Sequence, residues 1–490
     1  MLVKVIHTVS GRTVTSRPGP PGSSQAPPHS PFYLSTVFIN LVNASALSLA
    51  TRQDSGMEAQ TVVNTGFLEK PSMNRENARL GFCGAVFIML KSALGAGLLN
   101  FPWAFSRAGG VHAAVTVEMF SLIFLVSGLV ILGYSSSISG QSTYQAVVGH
   151  ICGPAIGKLC ELCFVFNVFM ICVAFLVILA DQLKKLSISI HGLITGSTGN
   201  EMPYHWYTDQ SFTLFLVCLF VILPLSIPKE FWIQKYTSAL GTVAATYLTV
   251  AIVIRYYTRT VPEGHLSPSY NSGMGFWASI FSVIPTICFG FQCHECSVAI
   301  YSSLENKKLS NWVIISLFSM LICLVIYTLT GIYGYLTFGR NVAADVLMSY
   351  SGDDVLMIIA RLLFGVSIIT IYPIALLLGR LVIQDPLLRH RETYETCIRV
   401  ALTAVWILIT LLIALFVPDI SKVISIIGGI SAFFIFVFPG LCLTFAMQSQ
   451  PMSATLRWIL IAWGMITVLC GTFIFGQSTF FAIMQVFHKL

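Results

Sequence analysis

The stretch Lys91-Ser92-Ala93-Leu94-Gly95-Ala96-Gly97-Leu98-Leu99-Asn100-Phe101-Pro102 decides how this chain is read. It lies inside an apolar run, yet two glycines flank an alanine, a proline follows, and Lys91, Ser92 and Asn100 stand among them. In lipid every backbone N–H and C=O must find its partner within the protein, so a helix interrupted here survives only where it lines a cavity. The freed backbone groups then face that cavity. A half-helix starting near Gly97 points its positive end inward, where a carboxylate docks. A half-helix ending near Leu94 offers carbonyls to an ammonium group or a cation. A glycine-rich contact between helices has the same composition, and on this stretch alone the two readings stand level.

The rest of the chain favours a membrane setting. Of 490 residues, 56% are hydrophobic and 10% charged, with 35 Phe. A soluble domain carries roughly 25% charged residues, so this chain has too few to cover a water-facing surface. The net charge of +7 is therefore no nucleic-acid signal, because the basic residues sit mostly between apolar runs. A crossing takes about 20 apolar residues. Eleven segments qualify: 84–106, 112–134, 158–182, 211–227, 236–257, 275–300, 311–336, 355–379, 397–417, 423–446 and 457–482. The fourth is short because Pro224 and Pro228 end it. With the N-terminus inside, thirteen Lys and Arg fall on the cytoplasmic side and eight on the other, the expected positive-inside bias. Thr143–His150 is expected to form a short interfacial helix. The chain divides into a disordered cytoplasmic tail at 1–80, a transmembrane domain at 81–482 and a short external tail at 483–490. The first tail holds Pro18, Pro20, Pro21, Pro27, Pro28 and Pro31 among Ser and Gly, a composition that cannot bury a core. Most of the thirteen cysteines lie in apolar runs and read as small buried hydrophobes.

A second interruption, Pro285-Thr286-Ile287-Cys288-Phe289-Gly290-Phe291-Gln292-Cys293-His294-Glu295, lies in span six. Five spans separate it from the first, the spacing of two inverted five-helix repeats that both break at the midplane. This coincidence moves the reading to a transporter. Gln292 and His294 become candidates for reading a substrate's amide or α-substituent. Cys293-His294-Glu295-Cys296 has metal-ligand residue types, but four neighbours on one helix cannot all face one ion.

In span eight, Ser367 and Thr370 share a helix face, and Tyr372-Pro373 follow, where Pro373 is expected to kink the helix. Two hydroxyls beside the carbonyls of span one would make an oxygen site for Na⁺; the ordinary alternative is that each bonds back to its own helix. Ionisable residues within spans are Lys91, Glu118, Glu161, Glu295 and Arg361, functional candidates by their cost in lipid. Glu161 and Arg361 lie near span ends and are expected to reach the interface. Lys91, beside the first break, is the most informative charge.

Gly95-Ala96-Gly97-Leu98-Leu99-Asn100-Phe101-Pro102, with Ala108-Gly109-Gly110, resembles the first span of the sodium-coupled neutral amino acid transporters, solute carrier family 38. Phe289-Gly290-Phe291-Gln292-Cys293-His294-Glu295 is similar to that family's sixth span, and Ser425-Ile426-Ile427-Gly428-Gly429 matches in span ten. The likeness runs from about Met57 to the C-terminus. It implies an all-α polytopic membrane protein of eleven transmembrane helices with a LeuT-like inverted 5+5 repeat, about 84–257 and 275–446, plus an eleventh helix at about 457–482. It implies Na⁺-driven uptake of neutral L-amino acids such as glutamine and alanine, no enzyme activity, and no cofactor beyond Na⁺ as coupling ion. Substrate would lie against Ser92, Ala93, Gly95, Ala96 and Gly97 of span one and Phe289, Gly290, Gln292 and His294 of span six. Na⁺ would take the carbonyls of Lys91 and Leu94 with the hydroxyls of Ser367 and Thr370. The partners expected are the amino acid, Na⁺ and the bilayer, with no nucleic acid, in a monomer. The expected site is the plasma membrane, with the lysosomal membrane as the alternative.

One departure matters. Many family members place Asn where this chain has Lys91. An ammonium there could replace Na⁺, a protonatable Lys could couple transport to H⁺, or the side chain could point away and leave Na⁺ binding intact. A transporter-like amino acid sensor is the remaining alternative, distinguished by binding without flux.

Overall fold

Apolar runs of this length leave the backbone no water to bond with, so each folds as helix. The computed structural model describes residues 80–195, 209–228, 234–258, 274–388, 395–417, 419–451 and 453–487. The expectations placed on residues 1–79 and 488–490 lie outside that set. In chain order the elements are α1 (Phe82–Ala93), a 3₁₀ turn Ala96–Asn100, α2 (Phe101–Arg107), α3 (Val111–Ser139), α4 (Tyr144–Cys152), α5 (Pro154–Thr195) and α6 (Gln210–Ser226). They continue with α7 (Gln234–Thr258), α8 (Met274–Gly290), α9 (His294–Ser303), α10 (Leu309–Phe338), α11 (Val346–Ser349), α12 (Val355–Leu388), α13 (Glu395–Phe416), α14 (Ile420–Ser449) and α15 (Ala454–Phe487). Among the described residues, nine helices are long and apolar enough to cross a membrane, or ten if α1 and Ala96–Arg107, bent by 48°, count as one. Apart from their outermost residues, the predicted segments fall on helix except at Leu94–Gly95 in the first and Phe291–Cys293 in the sixth, and α6 stays below the length of a crossing.

Two boundaries differ from expectation. α5 runs 42 residues, well past the predicted end at 182, because polar residues from Asp181 onward sit on helix that continues beyond the apolar core. α12 runs to Leu388, past the predicted end at 379, and continues as helix through Pro373. Elsewhere proline does leave a mark. A π-helical turn occupies Cys218–Ile222 just before Pro224, and another occupies Phe433–Val437 just before Pro439. Proline lacks an N–H and presses its ring on the preceding turn; a widened turn accommodates both effects.

Four elements gather around the first break. α10 packs on α1, α2, α3 and α7. Small residues on α10 allow this closeness: a Cβ at Gly331 would meet the Phe105 ring at 2.6 Å, and one at Gly334 would meet Pro102 at 2.5 Å. A second group forms where α5 packs on α12, α13 and α14, and α14 joins the two by lying along α8. There Gly428 meets the Pro285 backbone with no room for a side chain. α4 is the predicted short helix, but its first residue is no surface group: Tyr144 is buried and donates to the Phe434 carbonyl at 3.0 Å.

Candidate functional site

The first break is two residues of non-helical backbone. Leu94 is extended (φ −73°, ψ 94°) and Gly95 follows at φ −145°, ψ −147°. Leu94 N–H still reaches the Leu90 carbonyl at 2.7 Å, which closes α1, and Leu98 N–H takes the Gly95 carbonyl at 3.1 Å, which opens the next turn. The outer half-helix therefore starts at Ala96, one residue before the predicted Gly97, and starts as 3₁₀. The second interruption falls at Phe291–Cys293, after α8 ends at Gly290 and before α9 opens at His294.

The two interruptions meet. A Cβ on Gly97 would stand 2.7 Å from the Gly290 Cα, 3.3 Å from the Gly290 nitrogen and 3.5 Å from the Phe289 ring. Only glycine at 97 allows two backbones this near. Around them Ala93, Ala96 and Phe289 are buried. Ser92 on α1 lies 2.8 Å, hydroxyl to thiol, from Cys296 on α9, a second tie between the two broken elements. Gly95 differs from its neighbours: nothing lies within 4 Å of where its Cβ would be. The predicted residues Ser92, Ala93, Gly97, Phe289 and Gly290 are thus brought together, with open space beside Gly95.

Gln292 and His294 are engaged elsewhere. The Gln292 amide donates to Glu295 Oε1 at 3.0 Å and accepts from the Ser431 hydroxyl. His294 is fully buried, with Nε2 3.0 Å from the Leu125 carbonyl of α3. Gln292 and the His294 Nε2 are thus engaged by neighbouring elements, while the His294 Nδ1 is buried without a hydrogen-bond partner. The expected cation set is also only partly assembled. Leu94 is buried and Lys91 half-buried. Ser367 is buried facing Gly241 of α7, 3.4 Å from where a Cβ would lie. Thr370 donates to the Ser367 carbonyl at 2.8 Å, the back-bond that competes with ion binding. Among the described residues no group of three His, Cys, Asp or Glu could hold a metal ion.

Several contributors have no motif. Tyr327 of α10 places its hydroxyl 2.7 Å from both the Ala93 and Gly290 carbonyls. Its neighbours tie α10 to other helices. Thr328 donates to Glu118 Oε2 of α3 at 2.8 Å, and Thr330 pairs with Thr249 of α7 at 2.9 Å. The only sign of these residues in the sequence is the polar run Tyr327-Thr328-Leu329-Thr330 inside an apolar span. Asn167 of α5 donates to Glu295 Oε1 at 2.6 Å, so one carboxylate oxygen gathers amide donors from α5 and from the break itself.

Beyond the outer half-helix, residues 341–354 fold inward. Asn100 donates to the Ala344 carbonyl at 2.7 Å and accepts from Thr286 at 3.1 Å. Asp345 caps α11 through the Leu347 N–H at 2.9 Å and accepts from Gln182 of α5. Burial pushes the Asp345 carboxyl up to about 8, reinforced by Asp181 and opposed by the Leu347 N–H, Arg361 and Gln182. Arg361 reaches out of its helix into the preceding loop. It is buried and donates from one nitrogen to the Leu347, Tyr350 and Ser351 carbonyls at 3.0, 3.0 and 3.1 Å. The inward fold of the loop gives the guanidinium a protein partner before water does. Glu161, in contrast, is exposed.

Comparison with known proteins places this geometry. The family model described as transmembrane amino acid transporter protein matches residues 79–484. Solute carrier family 38 member 8 of Homo sapiens is 54% identical over 442 residues, covering 88% of this chain and all of that one. The chain belongs to solute carrier family 38, within the transmembrane amino acid transporter proteins. A second family member, sodium-coupled neutral amino acid transporter 7 of Danio rerio, is 43% identical over 457 residues, 91% of this chain and 97% of its own. As a solute carrier, this is a multi-pass membrane protein whose relatives are transporters and not enzymes. The crystal structure of MhsT in complex with L-phenylalanine shares its fold, with a TM-score of 0.56 at 14% identity, over 81% of this chain and 98% of the other.

Proposed function

We propose that this chain is a secondary active transporter of small neutral L-amino acids, glutamine and alanine among them, driven by co-transported Na⁺. The observation that carries the reading is the meeting of two helix interruptions at Gly97 and Gly290, in a family whose members are named as sodium-coupled neutral amino acid transporters. Eleven crossings are proposed, with α1–α2 as span one and α8–α9 as span six, both broken. Two inverted five-helix repeats at about 84–257 and 275–446 then rock around a fixed site.

In this reading the substrate lies beside Ser92, Ala93, Gly95, Ala96 and Gly97, against Phe289 and Gly290. The open space beside Gly95 takes its side chain. Its carboxylate faces the first N–H groups of the turn at Ala96, and its ammonium faces the carbonyls that end α1 and α8. Gln292 and His294 hold α9 in place rather than read the substrate. Na⁺ takes the carbonyls of Lys91 and Leu94 with the Ser367 hydroxyl, and Thr370 joins by turning from its back-bond. Each is cargo, so each must bind and leave. The chain works as a monomer in the plasma membrane.

The test is uptake of radiolabelled glutamine and alanine into proteoliposomes holding the full chain, in Na⁺ and in choline, at two pH values. Uptake at least tenfold higher in Na⁺ supports the coupling. Equal uptake in both salts overturns Na⁺ coupling and leaves transport standing. A second reading follows from Lys91, half-buried at the end of α1: its ammonium takes the cation's place. Lys91→Asn would then acquire a Na⁺ dependence that the parent chain lacks.

A further inference from the structure

Tyr327 stands where the two interruptions meet, and its hydroxyl oxygen is 2.7 Å from each of two carbonyls. Ala93 is the last residue of α1 and Gly290 the last of α8. In unbroken helices these carbonyls would accept from the N–H four residues on, at Gly97 and His294. Here Gly97 belongs to the turn Ala96–Asn100 and His294 opens α9. One side chain therefore takes the place of two backbone donors.

The substitution is incomplete. A hydroxyl carries a single proton, so it satisfies one carbonyl fully or both in part. An ammonium group carries three donors and a charge, and charged donors bind oxygen more strongly than neutral ones. The tyrosine is also held in place from both sides. Phe101 stacks on its ring at 4.2 Å and 11°, and Phe291 packs at 4.8 Å. The contact of Gly97 with Gly290 keeps the two carbonyls near each other.

We propose that Tyr327 is a positioning residue for transport, whose hydroxyl holds the Ala93 and Gly290 carbonyls together and yields them to the substrate's ammonium group. This rests on the reading that substrate binds at the two interruptions. Tyr327 then sets the apparent affinity, because every substrate must displace it.

Tyr327→Phe keeps the ring and its stacking and removes only the hydroxyl. The measurements are uptake kinetics for glutamine and alanine in proteoliposomes and thermal unfolding of the full chain in detergent with and without the same amino acids. The expected result is a KM lowered about threefold to tenfold with no rise in maximal rate. Without substrate the variant should melt below the parent, and added substrate should raise its melting temperature more than the parent's. N-acetylalanine, which lacks the ammonium, should give neither protein a shift. A tyrosine that merely supports the fold would lower the melting temperature and leave KM and the substrate shift at parent values, and that result overturns the proposal. So does a variant gain that N-acetylalanine reproduces. Phe101→Leu serves as a second variant should Tyr327→Phe not reach the membrane: it removes the stacking ring and should lower KM by a smaller factor, and an unchanged KM overturns the proposal. A parent chain that neither transports nor is stabilised by any amino acid overturns the transport reading, and this inference with it. A parent that transports beside a variant with the parent's KM overturns the inference alone.

Discussion

Gly97 and Gly290 touch backbone to backbone: a methyl group added at 97 would stand 2.7 Å from the Gly290 Cα. Neither partner is a side chain that could turn aside. Gly97→Ala is therefore expected to reduce amino acid uptake at least tenfold per molecule in the membrane. Gly95→Ala, with nothing within 4 Å of the added carbon, is expected to fold normally. It should carry alanine within about twofold of the parent and glutamine less well, because the new methyl fills the space proposed for the side chain. Both are read by uptake normalised to purified protein in proteoliposomes. Equal effects of the two substitutions would argue against the proposed position of the substrate.

Arg361 holds the loop that leads into α12. Its guanidinium donates to three carbonyls, at Leu347, Tyr350 and Ser351. Arg361→Met keeps most of the volume and strips the donors, and buried groups left without a partner cost about 1–3 kcal/mol. The expected outcome is a melting temperature lower by several degrees, with proteolysis appearing within 342–354. A melting curve at the parent position would show that the loop does not depend on this arginine.

Asp345 predicts a pH dependence of stability. Its carboxyl is raised from the ordinary 3.8 to about 8, so between those values the folded chain binds more protons at this site than the unfolded chain. Stability then falls as pH rises through the window. The protonated acid also has an acceptor at hand, since Gln182 Oε1 has no hydrogen-bond partner and a half-turn of the amide presents it. Melting temperature is expected to decline from about pH 5 to about pH 8, and Asp345→Asn is expected to flatten that decline. Parallel slopes in parent and variant would assign the pH effect to other groups.

Glu295 separates two roles that a membrane carboxylate can play. Its Oε1 accepts from Asn167 and Gln292. Glu295→Gln can keep that oxygen facing both donors, so transport is expected to stay within about threefold. Asn167→Leu removes a donor and is expected to destabilise by about 2 kcal/mol. A folded Glu295→Gln protein without transport would instead make the charge itself essential.

Much of this is legible in the sequence because lipid imposes a coarse rule. Long apolar runs become helices, and glycines near a proline mark where a helix is interrupted, so the break beside Gly95 can be placed, and the second narrowed to 285–295, from residue types. What residue types do not carry is rotation. Within the second interruption Cys293 adopts φ −134°, ψ 5°, and on either side of it His294 sits on Leu125 and Gln292 on Ser431. Tyr327 is hidden for a related reason: a lone tyrosine in an apolar span has no spacing to announce it, and its partners lie 234 and 37 residues away. The partners of Arg361 are hidden too, because they come from a loop whose course only the fold reveals.

Asn100 bonds outward to Ala344 and sideways to Thr286, whereas α1 is tied to the far side by Ser92 with Cys296 and by the Ala93 carbonyl with Tyr327. α2 and its leading turn are thus held through an amide, while the broken end of α1 is held by a thiol contact and one shared proton, and its other end by the Leu80 backbone bonds to Ser303 and Glu305. For α1 to swing at its broken end, a thiol contact and a shared proton must let go, whereas moving Asn100 would break both hydrogen bonds of one amide.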